Sequence, residues 1–381
     1  MLLSPVLDIY PYFDTNISNR SEVNHSPDTK WDFHVTLWFM LLAILISVLS
    51  LLTTLGNFLV IVSFIYDAHL RTISNFYILN LAIADLIIGF FCIPLYAPYF
   101  LTAKWPFSNL ICKIWNCVDN VVCSASTLNI MLISGDRYLS VVHAMNYRIY
   151  QTKLRAFFKM ALVWIAAFSL YGPASLFWDF FAGQSNVLPG ECQSEFWQNF
   201  PFTLTASVIE FVIPLSTVSY INFRIYTDIK RRTRKIQGGR NSVVQALKCQ
   251  QHSAGIATSA GLLHMKEKEA KQLKRDRKAA RALAIIVGAF SLSWAPFTVF
   301  NMVRTLCGMC INDQVFEASF WMLWLNSAVN PFLYPYCHPQ FKKVFKDLFH
   351  NITRCKRRRP PVIATRKKSQ FRNSTYLSSC S

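Results

Sequence analysis

Residues 35–66 read VTLWFMLLAILISVLSLLTTLGNFLVIVSFIY and contain no Asp, Glu, Lys or Arg. About 20 apolar residues in a helix cross the ~30 Å hydrocarbon core of a bilayer, so this stretch predicts a membrane span. Met160–Trp178, Ala282–Val303 and Ala318–Cys337 are equally free of charge. Thr72–Ala103, Ile114–Gly135 and Phe196–Phe223 are each interrupted by a single acid: Asp85, Asp119 and Glu210. The predicted fold is therefore an all-α membrane protein, a seven-transmembrane helix bundle. Composition agrees. The 381 residues are 53% hydrophobic and 15% charged, against about 25% charged in soluble domains.

Charge placement predicts orientation. More than half of the 39 Lys and Arg lie in Lys230–Arg281 and Lys342–Arg372, whereas Arg20, Lys30, Lys104, Lys113 and Arg304 fall on the opposite side of alternating spans. The positive-inside rule puts the N-terminus outside and the C-terminus in the cytosol of a multi-pass plasma-membrane protein. The net charge of +19 then points to membrane lipids and a partner protein, not to nucleic acid. Residues 1–34 read as an extracellular tail, and residues 35–337 as the membrane domain. Within it, 232–271 form a mobile third cytoplasmic loop with helical ends. Phe341, Val344, Phe345, Leu348 and Phe349 recur among lysines, which predicts an amphipathic eighth helix over 338–350. Residues 351–381 read as a disordered cytoplasmic tail, and Cys355 is a candidate palmitoylation site. Met1–Leu7 is too short for a signal peptide, so the first span is expected to act as its own insertion signal. Asn16, Asn19 and Asn24 head three glycosylation sequons on the predicted outer side.

An ionisable side chain at bilayer depth costs roughly 2.5–3.5 kcal/mol on insertion scales, so it faces a polar interior and serves function. Asp85, Asp119 and Glu210 have no base inside the spans to pair them. A cation from elsewhere is expected to complete the site. Among the 11 cysteines, Cys112 and Cys192 both face the oxidising side, where a disulfide would pin the second outer loop across the pocket mouth. Cys307 and Cys310 could form a second bridge, or use their Cys-x-x-Cys spacing for metal or redox chemistry. Cys92, Cys117, Cys123 and Cys337 suit buried apolar positions.

The spans carry a series of motifs in order: Gly56-Asn57, then Asn80-Leu81-Ala82-Ile83-Ala84-Asp85, then Asp136-Arg137-Tyr138. Trp164 and Pro214 follow in spans four and five, Ser293-Trp294-Ala295-Pro296 in span six, and Asn330-Pro331-Phe332-Leu333-Tyr334 in span seven. Together they resemble the rhodopsin-like family of G-protein-coupled receptors over roughly residues 35–350. Asp119, two turns into span three from Cys112, matches the acid that binds protonated amines in the biogenic-amine branch. Leu170-Tyr171-Gly172-Pro173, Glu210-Phe211-Val212-Ile213-Pro214 and Ser319-Phe320-Trp321-Met322-Leu323-Trp324 look like histamine receptors of the third subtype, with the fourth next.

The resemblance implies roles. Asp119 would anchor an ammonium by a charge-assisted hydrogen bond, with Glu210 holding a second donor such as an imidazole N–H. Tyr96, Asn120, Cys123, Trp294, Phe297, Phe320, Leu323 and Trp324 would line the pocket, its aromatics caging the cation with Trp321. Histamine is the implied ligand. Another biogenic or trace amine, or acetylcholine, is the alternative. Asp85, with Ser126, Asn326, Ser327 and Asn330, matches the family's allosteric sodium site; a protonated acid in a water network would satisfy the same residues. Arg137, beside Asp136 and Tyr138, is expected to bridge to Asp276 on span six and hold the helices closed. Pro296 would kink span six next to Trp294, and Pro214, Thr127, Phe290 and Tyr334 complete the implied switch. Coupling to inhibitory Gi/Go proteins, with arrestin and a receptor kinase as further partners, follows from the likeness. Asn120, Phe297 and Ser293 depart from the residues usual in the family, and the third inner loop is short for the third subtype. No Ser/His/Asp arrangement, metal triad or phosphate loop suggests an enzyme. A cation transporter would instead show repeats and broken helices in matching halves, which the sequence lacks.

Overall fold

The computed structural model describes residues 29–185, 187–249, 256–308, 310–337 and 339–355. Asn16, Asn19 and Asn24, and residues 356–381, lie outside them. In hydrocarbon every backbone N–H and C=O must be paired within the chain, and a helix does this locally. The described chain is accordingly helical. The long helices are α1 (Thr29–Tyr66), α2 (Ile73–Thr102), α3 (Asn109–Val142), α4 (Lys153–Ala182), α5 (200–249), α6 (Ile256–Cys307), α7 (Asp313–Cys337) and α8 (Pro339–Cys355). A short helix, Ala144–Tyr150, follows α3. By length and composition α1 to α6 can each cross a membrane. The 25-residue α7 is less apolar, because Asn326, Ser327 and Asn330 turn inward and are buried.

The helices form a ring. Neighbours in sequence pack side by side, α3 lies against α2, α4 and α5, and α7 closes back onto α1. Local chemistry starts the spans. Ser108, Thr152 and Asn199 cap α3, α4 and α5 by accepting the backbone N–H of Ile111, Arg155 and Phe202, worth about 1 kcal/mol each. The outer face of the ring carries exposed Leu55, Phe58, Phe168 and Leu292, a surface suited to lipid.

Polar side chains tie the helices inside the ring. Asn80 of α2 donates to Asn129 of α3 at 2.8 Å, and Trp164 of α4 donates to Asn80 at 3.0 Å. Asn57 of α1 donates to the Ser327 carbonyl of α7 at 3.2 Å. The preceding residue, Gly56, lets α7 approach: a Cβ there would meet Pro331 Cγ at 2.9 Å.

Three expectations need revision. The expected loop over 232–271 is mostly helix, because α5 continues to Cys249 and α6 begins at Ile256. The eighth helix runs to Cys355 rather than ending at 350, and α1 begins at Thr29, ahead of the expected 35. In each case the helix is already nucleated in the apolar run, and each residue added beyond it gains a backbone hydrogen bond, so propagation continues past the apolar edge. Both outer cysteine pairs, Cys112–Cys192 and Cys307–Cys310, are disulfides.

Gly56→Val should overpack the α1–α7 contact at a cost of about 1–3 kcal/mol. Gly135→Ala, where a Cβ meets nothing within 4 Å, should leave the fold unharmed or gain up to about 1 kcal/mol. Thermal denaturation of the solubilised protein reads both. Equal midpoints for the two variants and the parent would mean that α1 and α7 do not meet at Pro331.

Candidate ligand pocket

All three lone acids face the interior: Asp85 is 0% exposed, Asp119 5% and Glu210 8%. Asp119 sits on α3, the helix with the most neighbours. Trp324 of α7, fully buried, donates its indole N–H to Asp119 at 2.9 Å. Cys123, one turn along α3, has its sulfur 4.0 Å from the same carboxylate. An ionised carboxylate offers about four acceptor sites, so the indole leaves capacity for a cation.

Aromatic rings wall this acid. Tyr96 of α2 stacks on Trp115 of α3 at 5.0 Å and meets Trp324 edge-on at 5.5 Å. Phe320 and Trp321 flank Trp324 at 4.7 and 4.9 Å. Phe297 of α6 extends the wall through Phe320 at 5.7 Å. Leu323 and Trp294 are buried beside this cluster, and Trp294 packs on Phe290 at 5.7 Å. Ring faces carry negative potential and attract an ammonium, by about 0.5–2 kcal/mol each.

Glu210 lies in a π-helical turn, Val208–Val212. Such a turn inserts a residue into the helix and re-aims side chains. Tyr171 of α4 donates to Glu210 Oε2 at 2.6 Å, and the Ser124 hydroxyl of α3 neighbours the same carboxylate. Asp119 is within electrostatic range of Glu210. The ring interior therefore holds two buried carboxylates, one beside an aromatic wall on α3 and one against Tyr171 on α5.

Asn120 follows Asp119 on α3. Its side-chain amide donates to its own helix, at the Asn116 carbonyl, at 2.8 Å. Ser293 likewise returns its hydroxyl to the Ala289 and Phe290 carbonyls. Deeper in the ring, Asp85 accepts from Ser126 Oγ at 3.3 Å and Asn330 Nδ2 at 2.8 Å. Asn326 and Ser327 are buried there too.

The family model for 7 transmembrane receptors of the rhodopsin family matches residues 56–334, from the Gly56 contact to the end of α7. The chain belongs to that family. Its relatives place it in the biogenic-amine branch. It is 31% identical to the human histamine H4 receptor, with 85% of this chain and 95% of that receptor covered. It is 32% identical to the rat H4 receptor over 80% of the chain and 90% of that receptor. It is 28% identical to the mouse muscarinic acetylcholine receptor M1, with 81% and 88% covered. The receptor is a multi-pass plasma-membrane protein and not an enzyme. Its family implies a small-molecule ligand and a G-protein partner.

At the basic end of the receptor, Asp136 accepts from Ser74 of α2 at 2.5 Å and from Tyr147 of the short helix at 2.9 Å. Tyr147 lies outside the spans, and its burial pushes the phenol up to about 12, so it remains a donor to Asp136. Arg137 borders a small cavity with Ile130, Ile133, Leu283, Ile286 and Tyr334. The expected bridge from Arg137 to Asp276 does not form. Asp276 instead accepts from Gln272 on its own helix at 2.9 Å. An amide four positions before an acid lies one turn away on the same helix face, so the local pair is reached by rotamer alone, without closing the gap to α3.

Two pocket features escaped the sequence reading. Glu317 of α7 accepts from the Tyr96 hydroxyl at 3.1 and 3.0 Å; its only signal was an acid one turn before Phe320 and Trp321. Trp115, which donates to the Cys92 carbonyl at 3.0 Å, had no signal beyond its place four residues before Asp119.

Tyr171→Phe leaves the buried Glu210 carboxylate without that donor and should cost about 1–3 kcal/mol of stability. Glu210→Gln made alone and in combination completes a thermodynamic cycle. A coupling of about 0.5–3 kcal/mol is expected. Strictly additive losses would show that the two side chains do not interact.

Proposed function

We propose that this receptor binds a small protonated amine, histamine foremost, and acts through inhibitory Gi/Go proteins to lower cAMP. One observation carries the reading. Asp119 on α3 and Glu210 on α5 are both buried inside the ring, the first beside the aromatic wall and the second against Tyr171. A molecule with an ammonium at one end and a ring N–H at the other satisfies both. The named relatives that bind histamine support the same choice. With the disulfide Cys112–Cys192 on the oxidising side, the N-terminus is outside, Asn16, Asn19 and Asn24 are available for glycosylation, and Cys355 reaches the cytosolic leaflet for acylation. Arrestin and a receptor kinase are the further partners of such a receptor.

A second reading rests on the aromatic wall. Tyr96, Trp324, Phe320 and Trp321 form a cage that would also hold a quaternary ammonium, and muscarinic receptors are among the relatives. Acetylcholine or another amine would use Asp119 and the rings without needing Glu210.

Suppression of cAMP by a panel of amines separates these readings. Asp119→Asn should weaken every active amine by about 10–100-fold, the value of a hydrogen bond to a charged group. Glu210→Gln should weaken histamine selectively and spare ligands with one polar end. An unchanged dose response in Asp119→Asn would remove the anchor, and equal losses for all amines in Glu210→Gln would remove the ring contact.

Asp85 fits a sodium ion. It is fully buried and its described contacts are a hydroxyl and an amide N–H; a hard cation would take the carboxylate oxygens together with those of the neighbouring hydroxyl and amides. Ser126, Asn326 and Asn330 would share the ion with it, and a bound ion would supply the missing positive charge. Sodium chloride should then raise the thermal midpoint above that in equal potassium chloride, and Asp85→Asn should abolish the difference. The same difference in the variant would rule out Asp85 as a ligand.

A further inference from the structure

We propose that the disulfide end of the receptor holds a second, outer cavity that binds a small ammonium ion, apart from the pocket around Asp119. The cavity, about 110 Å³, lies between α3, α4 and the segment that follows α4. Asn109, Lys113, Ser175, Asp179, Glu191 and Glu195 are among its lining residues. Three of these are carboxylates and one is a cation, so the net charge of the lining is negative. Lys113 and Asp179 form an ion pair at 2.6 Å across the α3–α4 seam. Glu195 is only 5% exposed, and Ser185 donates to its Oε1 at 2.6 Å.

Ser175 points to a ligand. It is 3% exposed, and its hydroxyl has no hydrogen-bond partner among the described residues. A serine in a helix can return its hydroxyl to the carbonyl one turn back, as Ser293 does, yet Ser175 does not. A buried polar group left unpaired is costly, and a donor entering the cavity would pair it. An ammonium has three donors, enough for a carboxylate, a second carboxylate and this hydroxyl. A metal ion suits the lining less well, since no group of three acid, His or Cys side chains among the described residues is placed to hold one. An anion would face the carboxylates.

The cavity is joined to the inner site by one residue. Asn116 lines it, donates to the Gln193 carbonyl at 3.3 Å and accepts from Ser194 at 3.1 Å. Its own carbonyl receives Asn120, next to Asp119. The outer site thus sits one turn from the anchor on the same helix, and its existence does not require that the inner ligand be histamine.

Ser175→Cys in an Asp119→Asn background of the full chain tests the cavity with the inner anchor disabled. The new thiol is treated with cationic methanethiosulfonate ethylammonium or anionic methanethiosulfonate ethylsulfonate. Rates are normalised to a free thiol, with the parent lacking the new cysteine as blank. A cleft lined by one sign of charge should favour the cation by about tenfold or more. Histamine at about twice its dissociation constant should slow the cation about threefold, as 1 + [L]/Kd. Asp179→Asn with Glu195→Gln should erase both effects. Equal normalised rates for the two reagents, or protection that survives neutralisation, would overturn the proposal and leave a water-filled cleft. Where Ser175→Cys does not reach the surface, Ser185→Cys on the opposite wall gives the same readout. The wild-type cAMP response, measured in parallel, reports on the inner site alone, so failure of one does not imply failure of the other.

Discussion

A carboxylate inside a bilayer has to be met by donors from its own protein, and in this receptor those donors come from neighbouring helices. Asp85 of α2 is held by Ser126 of α3 and Asn330 of α7. Asp119 of α3 is held by Trp324 of α7, and Glu210 of α5 by Tyr171 of α4. Asp136 of α3 takes donors from α2 and the short helix. Each acid is therefore a staple as well as a site. Lipid tails offer no hydrophobic preference between helices, so such polar ties and close packing decide how a bundle is arranged.

This double duty bears on the ligand. Asp119 has an indole donor in Trp324 and Glu210 a phenol donor in Tyr171, so a ligand reaching either acid would meet a carboxylate that already ties two helices together.

Much of this was legible in the chain. The spans are written as uncharged runs, and the lone acids stand out because each is expensive where it sits. The aromatic wall could be named from the resemblance to the biogenic-amine branch. What was not legible depends on helix rotation and on small shifts along the axis. The partner of Asp276 is such a case: Gln272 and Arg137 are both within reach on paper, and only the packing of α6 against α5 decides between them. Glu317 is another, since an acid at a helix end reads equally well as solvated. The π-helical turn around Glu210 has no marker in its residue types, because Val208, Ile209, Phe211 and Val212 suit an ordinary helix. The length of α5 and α6 beyond the membrane was missed because polar helix and polar loop share a composition.

The unbroken α6 has a mechanical meaning. It runs from Ile256 to Cys307 with Pro296 inside it. The proline lies about 60 Å from the far end at 1.5 Å per residue. If the part below the proline moves as one body, each degree of bend at Pro296 swings that end by about 1 Å. An adjustment of a few degrees where Trp294 meets the ligand wall becomes a displacement of several ångströms among the lysines and arginines at the other end. α6 is therefore a lever with a short arm in the pocket and a long arm at the basic end, and its gain is set by the position of a single proline.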